Sequence, residues 1–340
     1  MTSLSVIGSG AWGTAIAAAA DRAGTKTTIW SKDQPTVQGI LETRFNPECF
    51  PGHKVSDSIH ATTDLAEACQ ANIIVLAVPA QFVRAVSTQL IDYVQPDSYL
   101  VLASKGIEQT TGYLMSEVIA ETLPNISLGI ISGPSFAEEV FKGQPSAVTL
   151  AAENITTSTW LARAFNSPSF RVYASDDIIG SQMGGALKNV LAIASGIVAG
   201  YKLGENARAM IITRGLAEIA KLTVAKNGRV ETLYGLSGLG DLCLTSTSIT
   251  SRNYQFGFEI GAGKKVEEAV RSSKYLTEGY YSSRSISKLA KALDVEMPIC
   301  QAVDEILNHG VTIEDAMRSL MDRPPSVEFN VEDYLPRKKT

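Results

Sequence analysis

The stretch Ser3-Leu-Ser-Val-Ile-Gly-Ser-Gly-Ala-Trp-Gly-Thr-Ala15 decides the fold. Five residues of strand character run into Gly8, Gly10 and Gly13, and an alanine-rich run to Ala20 follows without a proline. The spacing predicts strand, tight turn and helix. Gly8 takes turn dihedrals that a Cβ would forbid, Gly10 lets a pyrophosphate approach the backbone, and Gly13 lets the new helix pack closely on the strand. The unpaired N–H groups of the helix's first turn then face the phosphates, with the positive end of the helix dipole behind them. A GxGxxG match alone is weak; the flanking strand, the flanking helix and the N-terminal position together make it a nucleotide site.

Working outward, Lys26 to Trp30 reads as a second strand, followed by a loop from Pro35 to His60. Continuous apolar runs at Ile73 to Val78, Tyr99 to Ala103 and Ile126 to Ile131 have the pattern of strands buried on both faces of a parallel sheet. A helix is expected over Gln81 to Tyr93. Such alternation means right-handed crossovers and a doubly wound, mainly parallel α/β domain, assigned to residues 1–177. Ligands of these sheets collect outside the carboxyl ends of the strands, where Pro79, Lys105 and Gly133 fall. A lysine directly at a buried strand's end points to the ligand side, which singles out Lys105. Ser135, three residues before Glu138, forms a capping-box pattern opening a helix over Phe136 to Phe141.

At 340 residues, two domains are the default expectation. A hydrophobic content of 45%, a charged content of 19% and a net charge of -5 describe a soluble protein and argue against a general nucleic-acid or anionic-membrane binder. No transmembrane segment or signal peptide is read, and Cys49, Cys69, Cys243 and Cys300 are scattered; reduced thiols and a cytoplasmic location are expected. His53, His60 and His309 lack metal-ligand spacing, so no metal is expected.

Buried-strand runs stop near Ser175, and an all-α domain is expected over 178–323, with a flexible tail over 324–340. Its first helix, Ile178 to Tyr201, is apolar nearly all round. Lys188 lies on a face with Gly184, Gly185, Ala192, Ser181 and Ser195. A buried lysine among very small side chains leaves room for something other than protein, and burial, with a second cation such as Lys105, lowers its pKa toward acid/base use. Further on, Gly235-Leu-Ser-Gly-Leu-Gly-Asp-Leu242 is a Gly-rich loop whose one charge is Asp241. Ser251-Arg252-Asn253 opens a helical stretch, where an arginine at a helix N-terminus suits a phosphate.

Together, Gly8 to Ala15, Ser104-Lys-Gly106, Ser132-Gly-Pro-Ser-Phe-Ala137, Gly184-Gly-Ala-Leu-Lys-Asn-Val190, Gly238-Leu-Gly-Asp-Leu242 and Ser251-Arg-Asn253 resemble the bacterial-type NAD(P)-dependent glycerol-3-phosphate dehydrogenases, in order from residue 3 to about 322. The resemblance implies a Rossmann domain, and reduction of dihydroxyacetone phosphate to sn-glycerol 3-phosphate, a glycerophospholipid precursor. It implies Lys188 as proton donor and acceptor, with Lys105, Gly133, Ser135, Asp241, Ser251, Arg252 and Asn253 touching substrate. Trp12, Lys32, Lys105, Ala137, Arg252 and Glu278 would line the dinucleotide site beside the Gly-rich turn. Ala11 stands where many relatives have Ser, which removes one hydroxyl contact to the pyrophosphate and leaves the backbone contacts. Tyr254-Gln255 replaces a basic pair common after the Ser-Arg-Asn block. A homodimer stays open as the assembly. Rival readings are another two-domain dehydrogenase, of the hydroxyacid or phosphogluconate kind, and a non-catalytic dinucleotide sensor.

The second strand ends Ile29-Trp30-Ser31-Lys32, with no acid before Asp33. An NAD-selective site places a carboxylate there against the ribose hydroxyls. Lys32 and Ser31 suit a 2′-phosphate, so NADP(H) is the expected preference over NAD(H), with Asp33 as the argument against.

Overall fold

The structure, a computed structural model, describes residues 2–273 and 277–325 together with 327, 328, 330 and 334. The chain divides into two compact units, one comprising residues up to 105 with 113–181, the other 106–112 with the residues from 182 on. The expected tail over 324–340 lies largely outside the described residues. One residue of it that is described, Glu328, accepts a hydrogen bond on its carbonyl from Arg214 Nη1 at 3.0 Å.

The first unit is built on a sheet of β1 (Ser3–Ile7), β2 (Lys26–Trp30), β3 (His60–Thr62), β4 (Ile73–Leu76), β5 (Tyr99–Leu102), β6 (Ser127–Ser132), β7 (Ser146–Ala152) and β8 (Phe170–Ser175), in the order β3-β2-β1-β4-β5-β6-β7-β8. Neighbours are parallel except β6 and β7, which run antiparallel. The direction of winding reverses at β1, whose Ile7 is level with Trp30 on one side and Leu76 on the other. Strand ends are therefore in line at the switch point where such sheets bind ligands. All four residues of β4 are buried, as its unbroken apolar run requires, and side chains from the two faces feed separate core clusters.

The chain departs from the sequence reading locally. β7 and β8 have no counterpart in it, and the helix expected over Gln81 to Tyr93 is a 3₁₀ turn, Ala80–Phe82, running into a shorter helix, Val83–Leu90. The loop after β2 contains a helix, Gln34–Gln38, continued by a wide turn, Gly39–Thr43. After the opening helix α1 (Ala11–Arg22), the longer helices from residue 178 on are α2 (Ile178–Gly200), α3 (Glu205–Ala225), α4 (Asp241–Thr247), α5 (Arg252–Gly261), α6 (Val266–Ser272), α7 (Glu278–Ala292), α8 (Pro298–Asn308) and α9 (Ile313–Met321). By length and composition α2 qualifies to cross a membrane, yet 83% of its most apolar window is buried inside the protein, as in a core helix.

The small residues of α2 serve close packing. A Cβ on Gly184 would fall 2.1 Å from the Ser237 carbonyl oxygen, one on Gly196 2.1 Å from that of Tyr254, and one on Gly200 2.2 Å from that of Phe258. The contact is reciprocal, because a Cβ on Gly257 or Gly261 would fall 2.1 Å or 2.3 Å from the Ile193 or Ile197 carbonyl oxygen. The expectation of spare room beside Lys188 is corrected at one of its five small residues: at Gly184 the space is filled by the backbone of the Gly-rich turn.

Glu218 on α3 braces α8. It is 5% exposed, and its carboxylate accepts from Ile299 N at 2.7 Å and Cys300 N at 3.1 Å, two donors of the first turn of α8. Burial outweighs these bonds and pushes its pKa from 4.5 up to about 7. The folded chain thus holds this proton more tightly than the unfolded chain. The associated stability is fully present below about pH 4.5 and is lost as pH rises toward about 7. We expect Glu218→Gln to flatten this part of the denaturation profile, which amounts to about 3 kcal/mol across the window. Parallel profiles for wild type and variant would refute the assignment.

Candidate active site

At the end of β1 the three glycines answer to three different constraints. Gly8 has φ of 122°, and a Cβ there would meet the Ala77 carbonyl oxygen at 2.7 Å; one on Gly13 would meet the Gly8 carbonyl oxygen at 2.0 Å. At Gly10 a Cβ would meet nothing within 4 Å. Gly8 and Gly13 are therefore required by the fold, whereas the bareness of Gly10 leaves open space in front of the α1 N-terminus. Gly10 caps α1 without a side-chain hydrogen bond, no acid lies in the first turn, and Gly10 and Ala11 are exposed. Exposed, uncapped donors beside open space fit a pyrophosphate.

Trp12, Lys105, Gly133 and Ser135 come together in this unit. Lys105 Nζ lies 6.0 Å from the centroid of the Trp12 ring and donates to the Gly133 carbonyl oxygen at 3.3 Å, which also accepts from Ser135 Oγ at 2.9 Å. Gly133, at φ of 155°, lies against β7: a Cβ would fall 2.8 Å from Val148 Cα. The capping box expected at Ser135 is corrected. The helix is Ala137–Phe141, Phe136 stands at its cap, and the Ser135 hydroxyl turns back to Gly133. Glu138 is instead paired with Lys142 at 2.6 Å. Ala137 is the first residue of that helix, half-buried against the core.

The end of β2 differs from the simplest reading. Ser31 is 4% exposed, and its hydroxyl accepts from Ser9 Oγ at 2.8 Å and Asp33 N at 3.1 Å, which ties it into the protein. Asp33 caps the helix Gln34–Gln38, its Oδ2 accepting from Thr36 N at 2.9 Å and Thr36 Oγ1 at 2.7 Å. These bonds hold its carboxyl below the usual range. Lys32 is exposed.

In the second unit Lys188 projects from α2 with only 12% of its side chain exposed, and its Nζ donates to Asp241 Oδ1 at 2.5 Å. Asp241 is fully buried at the first position of α4, delivered there by the turn Leu236–Gly240 that lies on Gly184. Lys188 Nζ also donates to Thr245 Oγ1 at 2.9 Å, and that hydroxyl donates to the Asp241 carbonyl oxygen at 2.7 Å. Sequence reasoning passed over Thr245, although its place four residues after Asp241 puts both on one helix face.

Ser251 and Asn253 are largely occupied by the protein. Ser251 Oγ accepts from Tyr254 N at 3.3 Å as the N-cap of α5. Asn253 Nδ2 donates to Asn189 Oδ1 at 3.0 Å, while its Oδ1 accepts from Gly279 N at 3.0 Å. This amide thereby clips α2, beside Lys188, to the start of α7, where Glu278 is the first helical residue. Arg252, the first residue of α5, is exposed. Among the described residues no group of three or more His, Cys, Asp or Glu side chains is placed to hold a metal ion.

A bare glycine turn at the switch point of a doubly wound sheet marks a dinucleotide-binding fold. Comparison with known proteins narrows this. Residues 3–158 match the family model for the NAD-dependent glycerol-3-phosphate dehydrogenase N-terminus, and residues 177–318 match that for its C-terminus. The chain is 44% identical over 321 residues, 94% of its length and 96% of the relative's, to a glycerol-3-phosphate dehydrogenase [NAD(P)+] of Parvibaculum lavamentivorans. It is 43% identical over 339 residues, 99% of its length and 97% of the relative's, to one of Rhodospirillum rubrum. The crystal structure of glycerol-3-phosphate dehydrogenase from Coxiella burnetii superposes with a TM-score of 0.89 at 36% identity, covering 95% of this chain and 99% of that one. The chain belongs to the NAD-dependent glycerol-3-phosphate dehydrogenase family. Neither rival reading of the sequence finds support in these relatives.

The glycine geometry separates folding from binding. Gly10→Ala should leave the thermal midpoint near that of wild type, since the added methyl meets no protein atom. NADPH affinity, read by nicotinamide fluorescence, should drop by about tenfold or more as the methyl crowds the phosphates. Unchanged affinity would remove this turn from the cofactor site.

Proposed function

We infer that this NAD(P)-dependent oxidoreductase reduces dihydroxyacetone phosphate to sn-glycerol 3-phosphate, reversibly, with Lys188 as its general acid and base. The supporting observation is the buried Lys188–Asp241 pair, steadied by Thr245, in a chain of this family. When bound, the reduced dinucleotide supplies a hydride to the ketone carbon. Lys188 holds a proton at Nζ for the substrate oxygen and releases it as negative charge develops there, so an alkoxide does not accumulate. In the reverse direction the amine takes the proton from the hydroxyl. Asp241 and Thr245 fix the position of Nζ.

Arg252, exposed at the start of α5, supplies a fork of donors for the substrate phosphate, and binding of that remote group fixes the carbonyl for reaction. Asn253 contributes chiefly by holding α2 and α7 in place, given its two intramolecular bonds. For Lys105, Gly133 and Ser135 as substrate contacts, for Ser251, and for Ala137 and Glu278 as cofactor contacts, the family resemblance is the support. The product places the enzyme at the supply of glycerophospholipid backbone.

NADPH is the proposed preferred cofactor, with NADH accepted. Lys32 is exposed for a 2′-phosphate, and the carboxylate of Asp33, which would repel one, is turned to its own helix.

Two measurements test these assignments. In a spectrophotometric assay with dihydroxyacetone phosphate, Lys188→Ala should lower kcat by at least about a hundredfold while NADPH still binds. Retention of more than about a tenth of wild-type kcat, a loss of only ~1.4 kcal/mol, would exclude Lys188 as the proton donor. For the cofactor, kcat/KM of wild type should be higher with NADPH than with NADH, and Lys32→Ala should reduce the NADPH value by about tenfold with little effect on NADH. A wild type that prefers NADH, or an NADPH value untouched by the substitution, overturns the preference.

A further inference from the structure

The loop after β2 sends one side chain under the Gly-rich turn. Asn46 is 4% exposed and every polar atom of its amide is engaged. Its Nδ2 donates to the Ser9 carbonyl oxygen at 2.8 Å and to Thr14 Oγ1 at 2.9 Å, and its Oδ1 accepts from Glu48 N at 2.9 Å. Thr14, fully buried, passes a second donor to the same Ser9 carbonyl, at 3.1 Å. Two buried donors thus converge on one carbonyl at the tip of a turn, where backbone groups ordinarily face water.

The consequence follows from peptide geometry. The Ser9–Gly10 bond is trans, so the Ser9 carbonyl and the Gly10 N–H point in opposite directions from one rigid plane. Fixing the carbonyl inward on Asn46 and Thr14 fixes the Gly10 N–H outward, into the open space in front of α1. The Ser9 side chain carries the constraint further, since its hydroxyl donates to Ser31, which accepts from Asp33 N at the end of β2.

We propose that Asn46 is a positioning residue that locks the orientation of the Ser9–Gly10 peptide, so that its N–H is presented to the dinucleotide pyrophosphate. This rests on the reading of the Gly-rich turn as the cofactor site. Asn46→Asp keeps the shape and the acceptor for Glu48 N but replaces the donor by a carboxylate that repels the Ser9 carbonyl. At pH 8 its Kd for NADPH, by nicotinamide fluorescence, should rise by about tenfold or more, while kcat at saturating NADPH and dihydroxyacetone phosphate stays within about twofold. A buried carboxyl takes up a proton more readily and regains a donor when it does, so the ratio of variant to wild-type Kd should shrink between about pH 8 and about pH 6. Thr14→Val should weaken NADPH binding in the same direction, and Thr14→Ser, which keeps the hydroxyl, should restore it.

A Kd for Asn46→Asp within about twofold of wild type, a Kd ratio independent of pH, or equal behaviour of Thr14→Val and Thr14→Ser overturns the proposal. So does an Asn46→Asp chain that does not fold together with wild-type NADPH binding by Thr14→Val. Gly10→Ala measured alongside separates the two levels. If it leaves NADPH binding intact, the cofactor reading itself fails; if it weakens binding while Asn46→Asp does not, only the role of Asn46 fails.

Discussion

The absence of side chains at the contact points of α2 is the constraint on which the second unit depends. Gly184, Gly196 and Gly200 let backbone approach backbone, and Gly257 and Gly261 answer from α5. A methyl at any of these places would have to push a helix or a turn aside, at a cost of roughly 1–3 kcal/mol or more. What the closeness secures is position. With the turn Leu236–Gly240 resting on Gly184, Asp241 arrives at Lys188 at 2.5 Å, and with α5 resting on Gly196 and Gly200, Asn253 arrives at Asn189. The pair gains from being held this way, because the Coulomb term repays burial of two charges only when the geometry is good and the remaining hydrogen bonds are made. Thr245 makes one of them.

The Gly-rich turn of the first unit uses glycine to two opposite ends. Gly8 and Gly13 are bare because protein occupies the place of a Cβ, whereas Gly10 is bare with nothing in that place. A static structure separates the two cases, and only the second points to a ligand. The polar groups divide the same way. The Ser9 carbonyl is saturated from within by Asn46 and Thr14, while the first N–H groups of α1 are left without a side-chain cap. Inward satisfaction of the acceptors makes outward presentation of the donors definite.

How much of this was legible in the sequence depends on the range of the interaction. The turn at Gly8 to Gly13 and the buried runs that became β4, β5 and β6 could be read, because each signal sits in consecutive residues. β7, Ser-Ala-Val-Thr-Leu-Ala-Ala, could not: its alanines suit a helix as well as a strand, and its antiparallel pairing with β6 is non-local. β8 lies at the sheet edge, and buried and exposed residues alternate over only its first four positions. At the candidate site, Lys188 and Asp241 were each visible as a charge in an apolar or glycine-rich setting. The identity of the filler beside Gly184 was not, since small residues look alike whether they leave a cavity or admit a backbone. Asn46 was invisible, lying in a loop whose one signal was its prolines and glycines.

The end of β2 carries the same distinction into recognition. Residue type suggested Ser31, Lys32 and Asp33 as three candidates to meet the ribose; commitment elsewhere reduces them. The Ser31 hydroxyl is buried and accepts from Ser9 Oγ and Asp33 N, and Asp33 Oδ2 accepts both bonds from Thr36, so turning that oxygen toward a ribose would surrender a helix cap. An N-cap exchanged for nothing costs about 1 kcal/mol, comparable to what one ribose hydrogen bond returns. The proposed preference for NADPH therefore rests on the exposed ammonium of Lys32, which would meet a dianionic 2′-phosphate.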